Sequence, residues 1–61
     1  QQQRDLRARQ ILQAELERVQ AQQRGLRHQW GQADEAEKKR LRPMLERVDA
    51  DVAALQREIT P

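Results

Sequence analysis

Apolar residues recur along two segments of this chain at alternating spacings of four and three. The first segment carries Leu12, Leu16, Val19, Gln23, Leu26 and Trp30, and the second carries Leu41, Leu45, Val48, Val52, Leu55 and Ile59. On an α-helix these intervals form one narrow stripe, which is the pattern of a coiled-coil seam. The sequence therefore predicts two helices that each present a seam.

The repeat breaks between Trp30 and Asp34. Gly31 is suited to the left-handed conformation that ends many helices. Asp34 is followed three residues later by Glu37, which is the capping-box spacing of a helix start. We therefore predict an all-α, antiparallel two-helix hairpin, with helices over residues 5–30 and 34–59 and a short link. Asp5 suits the first turn of the first helix, and residues 1–4 are expected to fray.

The two seams also match each other in register. Folding the chain about Gln32 places Gln23 opposite Leu41 and Leu16 opposite Val48. The turn predicted from the capping signals thus lies where the paired layers require it. This agreement favours the hairpin.

Pro43 complicates the second helix, because it lacks an amide hydrogen and crowds the preceding turn. Either the helix continues with a bend near Pro43, or the main helix starts there. Leu41 stays in register with Leu45, which favours the continuous, bent helix. A different organisation is also open: Trp30 to Leu41 spans eleven residues, a spacing that one long helix can absorb in an intermolecular coiled coil.

Composition limits the class of protein. The 61 residues contain one Trp, no Phe, Tyr or Cys, and 36% charged side chains. Such a chain cannot fill a broad core, form disulfides or build a thiolate metal site. It has no apolar run of membrane-spanning length, and both cytoplasm and periplasm are compatible with it. We expect residues 1–61 to be a single hairpin module within a larger protein, since the chain opens with Gln1.

Charge is distributed unevenly but mildly. Residues 1–30 carry six basic and three acidic groups, or +3, and residues 31–61 carry six basic and seven acidic groups, or −1. The best-placed candidates for nucleic-acid contacts are Arg4, Arg7 and Arg18. No aromatic side chain accompanies them to stack on a base. RNA or DNA binding by a small helical bundle is therefore the alternative function, and a structural interaction module is the main one.

Few residues suggest other chemistry. His28 is the only histidine and lies at a solvent-facing position, so we expect no metal site. The carboxylates of Glu46, Asp49 and Asp51 straddle their helix and do not converge on an acid–base site. The basic run at residues 38–42 spans most of a helix circumference and suits a solvated face. We expect no catalysis and no cofactor.

Two residues have alternative interpretations. Trp30 either covers the end of the seam beside Leu26 and the stem of Lys38, or anchors a partner at the hairpin tip. Gly25 is either a tolerated surface glycine or a point of close backbone contact, and it costs a helix about 1 kcal/mol relative to Ala.

A hairpin with so few bulky residues is marginal by itself. We expect it to share Leu6, Ile11 and Met44 with a second copy, forming a four-helix bundle, or with a partner helix. In size and layout it resembles the Rop family, whose members pair two hairpins in this way and bind RNA; the resemblance is one of architecture and carries over no residue. The predicted function is a structural module for oligomerisation or protein–protein interaction.

Overall fold

The computed structural model describes residues 2–60 and shows two α-helices that fold back on each other. Helix α1 spans Gln2–Gln32 and helix α2 spans Glu35–Ile59. Ala33 and Asp34 join the two helices. The molecule measures 51 × 15 × 13 Å, the size of two helices lying side by side. The all-α hairpin is confirmed, and the single long helix is excluded. Gln1 and Pro61 lie outside the described residues.

An acidic residue lies at the start of each helix, but the predicted fraying of residues 2–4 is wrong, because these residues belong to α1. Asp5 lies in the first turn of α1, which starts at Gln2, three residues before the predicted start. Asp34 is the N-cap of α2, where its Oδ1 accepts a hydrogen bond of 2.8 Å from the amide of Glu37. Since a carboxylate at this position satisfies one of the amides that a helix start leaves without an intrahelical partner, the cap fixes where α2 begins. The predicted capping position is confirmed.

The predicted role of Gly31 is wrong. Gly31 lies inside the last turn of α1, and within residues 2–60 no glycine has a positive φ. The helix closes instead with a hydrogen bond of 3.2 Å from the amide of Ala33 to the carbonyl of Trp30, three residues back. This tighter bond satisfies a terminal carbonyl without any left-handed residue.

Helix α2 runs past Pro43 without interruption. The alternative in which the helix starts at Pro43 is therefore wrong, and the accompanying bend stays a prediction. Pro43 lies on the exposed side of α2, as does Lys39, four residues earlier. The carbonyl that loses its amide partner can therefore be reached by water, which moderates the cost of the proline.

The core is a thin strip between the helices. Among residues 3–60, four side chains are buried: Val19, Leu41, Val48 and Val52. Val19, Val48 and Val52 form one cluster, and four half-buried leucines pack against it: Leu16, Leu26, Leu45 and Leu55. The predicted proximity of Leu16 and Val48 is consistent with this packing. Neither helix, over the residues described, is long and apolar enough to cross a membrane.

The two helices are not in the register predicted by folding the chain about Gln32. Gln23 was expected opposite Leu41, but its Nε2 donates a hydrogen bond of 2.6 Å to Oδ1 of Asp49, two turns farther along α2. Two effects explain the shift. The link is centred between Ala33 and Asp34, and side chains in each helix lean toward the N-terminus of that helix. In an antiparallel pair this lean moves α1 side chains away from the turn and α2 side chains toward it.

Candidate functional site

The predicted seam lies where the two helices meet. All eleven apolar seam residues are buried or half-buried: Leu12, Leu16, Val19, Leu26, Trp30, Leu41, Leu45, Val48, Val52, Leu55 and Ile59. None of the described side chains is completely enclosed, because only one layer of helix covers each of them. The seam therefore packs α1 against α2 within one hairpin, and the outer sides of its residues remain accessible to solvent.

Three large apolar side chains outside the seam face solvent. Leu6 is 57% exposed, Ile11 69% and Met44 50%. Leu6 and Ile11 lie on α1, and Met44 lies near the middle of α2. These are the three residues that we predict to pack against a partner.

One side of the hairpin carries a continuous groove between the helices. Its half nearer the turn is lined by Gln22, Gly25, Leu26, Gln29, Met44, Arg47, Val48 and Asp51. Its other half is lined by Glu15, Arg18, Val19, Gln22, Asp51, Ala54, Leu55 and Glu58. Gln22 and Asp51 line both halves, so the two concavities join at these residues. We call this surface the groove face; its floor consists of seam residues and its walls are mainly polar.

Gly25 lines the groove and makes no close contact. A Cβ placed on Gly25 would meet no atom within 4 Å, and the same is true of Gly31. Within the hairpin Gly25 is therefore a tolerated surface glycine, the first of its two interpretations. Its missing side chain leaves the groove shallower on the α1 side.

Trp30 is held within the hairpin by two cations of α2. Nζ of Lys38 lies 5.5 Å from the centre of the indole ring, and the guanidinium carbon of Arg42 lies 5.7 Å from it. Lys38 also approaches Oε1 of Glu35 at 3.9 Å. A cation over an indole is an attractive arrangement, so half-buried Trp30 covers the turn end of the seam as in the first of its two interpretations. Its role as an anchor for a partner stays a prediction.

A polar cluster joins the helices away from the groove. Asp49 accepts the hydrogen bond from Gln23 and lies 3.5 Å from Nη2 of Arg27. None of these three residues lines the groove. The only polar residue of the α1 seam thus acquires a partner that the apolar repeat did not reveal.

The three arginines predicted to contact nucleic acid differ in their surroundings. Arg4 and Arg7 are exposed near the start of α1, where α1 (31 residues) outruns α2 (25 residues). Arg18 is bound to Glu15 through both nitrogen atoms of one edge of its guanidinium group. The hydrogen bond from Arg18 lowers the pKa of the Glu15 carboxyl and raises the pKa of Arg18. Arg18 is thus paired with an acidic side chain of its own helix, and the role of the three arginines in nucleic-acid binding stays a prediction.

Within residues 2–60 no group of side chains is arranged to hold a metal ion, since no three His, Asp or Glu side chains in this range are grouped as metal ligands. His28 is exposed, and so are Glu46, Asp49 and Asp51. Asp49 points to α1 and Asp51 lines the groove, so these two carboxylates serve different surfaces.

Comparison with known proteins adds no relative: no family model, curated protein or solved structure matches this chain.

Proposed function

We propose that this hairpin is a non-catalytic structural module that associates with a second copy to form a four-helix bundle. The observation that carries the proposal is its excess surface. The chain exposes 5290 Å² for a mass of 7.2 kDa, whereas a compact monomer of this mass exposes about 4,100 Å². The difference is about 1,200 Å², and a standard protein–protein interface takes about 800 Å² from each partner.

The distribution of apolar side chains supports the same function. Leu16, Leu26, Leu45 and Leu55 are covered on one side only, and Ile11 and Met44 are at least half exposed. Burying apolar area stabilises by roughly 25 cal/mol per Å². A second pair of helices would supply the missing half of this core, as in other bundles of four helices.

Solution molar mass tests the proposal directly. We expect a species of twice 7.2 kDa in sedimentation equilibrium, and a midpoint of thermal unfolding that rises with protein concentration. A helical monomer whose unfolding is indifferent to dilution would refute self-association. Association with a different protein's helix would then be the remaining form of an interaction module.

A pair of variants connects association to the seam. Leu16→Asp places a carboxylate against the Val19 cluster, so we expect it to abolish both helicity and association, because an isolated charge is costly in an apolar site. Ala14→Asp makes the same charge change at an exposed position of the same helix. We expect Ala14→Asp to remain helical and dimeric, and equal effects of the two substitutions would contradict the role of the seam.

A further inference from the structure

The groove face carries a second stripe on α2, beside the seam. Its members recur at spacings of four and three and are Arg40, Met44, Arg47, Asp51, Ala54 and Glu58. Five of the six line the groove, and Arg40 is an exposed residue one turn before Met44. Helical residues at these spacings share one side of a helix, so this outer stripe forms the α2 wall of the groove.

The outer stripe is complementary in charge and size to a second copy of itself that runs in the opposite direction. Its first half reads basic, apolar, basic, and its second half reads acidic, small, acidic. When two copies of α2 run antiparallel along this stripe, Arg40 meets the partner's Glu58 and Arg47 meets the partner's Asp51. Met44 meets the partner's Ala54, where a small side chain leaves room for a large one. Parallel copies would instead place every charge against the same charge, which costs free energy at an interface.

The α1 wall of the groove tolerates the same arrangement. Its stripe reads Ile11, Glu15, Arg18, Gln22, Gly25 and Gln29, and all but Ile11 line the groove. Reversal pairs Ile11 with the partner's Gln29, Glu15 with the partner's Gly25 and Arg18 with the partner's Gln22. No two like charges meet, and Gly25 offers space.

The midpoints of the two stripes lie within about one helical turn of each other along the hairpin. The α2 stripe is centred between Arg47 and Asp51, and the α1 stripe between Arg18 and Gln22. The two concavities join at Gln22 and Asp51, and each of these residues borders the midpoint of its own stripe, so about one helical turn separates the two midpoints along the hairpin. A single two-fold axis between these midpoints therefore serves both walls, as the isologous interface of a two-fold dimer requires.

We propose that the groove face receives a second copy of this chain turned end over end, with the turn of one hairpin at the open end of the other. This inference rests on the proposed self-association and adds its face, orientation and specific pairs. The pairs Arg40 with the partner's Glu58 and Arg47 with the partner's Asp51 each occur twice per dimer. They select the orientation, while the groove floor and Met44 supply the apolar contact.

Charge reversal tests the pairing. In dimers of Arg47→Glu, two ion pairs become two like-charge contacts, and the same holds for Asp51→Arg, so we expect each variant to dimerise about tenfold more weakly or worse. Mixing the two variants creates heterodimers in which both pairs are attractive again. We therefore expect the mixture to associate as tightly as the unmodified chain, measured by sedimentation and by native mass spectrometry of the heterodimer.

The mixture separates pairing from effects within one helix. Arg47 and Asp51 are also four residues apart on α2, and each variant loses that neighbour in its own chain. Mixing cannot restore an intrachain neighbour, whereas it restores contacts between chains. The control Arg24→Glu reverses an exposed charge of α1 that does not line the groove, and we expect its dimerisation to be unchanged.

Orientation is measured independently at the turn. The chain has no cysteine, so Gln32→Cys accepts a single spin label. Gln32 lies about twelve residues from the midpoint of the α1 stripe, so end-over-end packing places the two labels roughly 36 Å apart along the bundle, on a rise of ~1.5 Å per residue. Copies with their turns together would give distances below about 20 Å and would overturn the assignment.

The experiments distinguish a failure of the groove-face pairing from a failure of self-association. If the unmodified chain is a dimer but neither charge reversal weakens it, or mixing fails to restore association, the groove-face pairing is wrong and self-association stands. If the unmodified chain is monomeric at every concentration, both proposals are wrong.

Discussion

The capping residue of α2 offers the most direct test of how the hairpin is held. Asp34→Ala removes the hydrogen bond of 2.8 Å between Oδ1 and the amide of Glu37. That amide is left to water, and the acidic group nearest the helix start is lost. Replacing an N-cap Asp by Ala costs about 1 kcal/mol, within a range of roughly 0.5–2. In a domain of this size, 1 kcal/mol lowers the midpoint of thermal unfolding by about 4–8 °C.

The measurement is far-ultraviolet circular dichroism during thermal and urea unfolding, at one fixed protein concentration. Asp34→Asn keeps a side-chain oxygen that can accept the same hydrogen bond, so we expect it to recover most of the stability. Asp34→Ala unfolding at the same temperature as the unmodified chain would refute the capping argument. Equal losses for Ala and Asn would show that charge, and not the hydrogen bond, fixes the helix start.

Two further predictions concern other single residues. Pro43→Ala should raise the free energy of unfolding by up to ~3 kcal/mol, because it restores the amide donor to the carbonyl of Lys39 within a continuous helix; unchanged urea unfolding would contradict this. The hydrogen bond from Arg18 lowers the pKa of Glu15 below its usual value of 4.5, so this pair stabilises α1 above that pH and its contribution is lost as the pH falls through the lowered pKa. Carboxyl titration by NMR measures the shift, Arg18→Gln should remove it, and an unshifted Glu15 would refute the contact.

The faces of the helices could be predicted from the sequence because burial follows from helical period alone. A spacing of four and three fixes which side chains share a stripe, and every apolar member of both stripes is covered at least in part. The position of Asp34 was predictable for the same local reason, since its hydrogen bond spans only three residues. These features need no knowledge of how the helices meet.

What the sequence could not provide was the axial offset between the helices. The period fixes the angle of Gln23 around α1 but not its level along α2, and Gln23 bonds to Asp49 instead of lying opposite Leu41. The prediction that Gly31 ends α1 was wrong for a related reason. The link has only two residues, and a hydrogen bond from the amide of Ala33 to the carbonyl of Trp30 ends the helix. The groove walls were also missed, because their stripe is built of charged and small residues that an apolar repeat does not register.

The two-residue link also determines the order in which the hairpin can assemble in time. Trp30 and Lys38 are only eight residues apart, so bringing them together closes a short loop and costs little chain entropy. We expect each later layer to add to one already formed and the start of α1 to order last. Such locally connected helical folds form in microseconds to milliseconds. The indole of Trp30 lies where closure begins, so its fluorescence should report the earliest event and circular dichroism the completion of both helices.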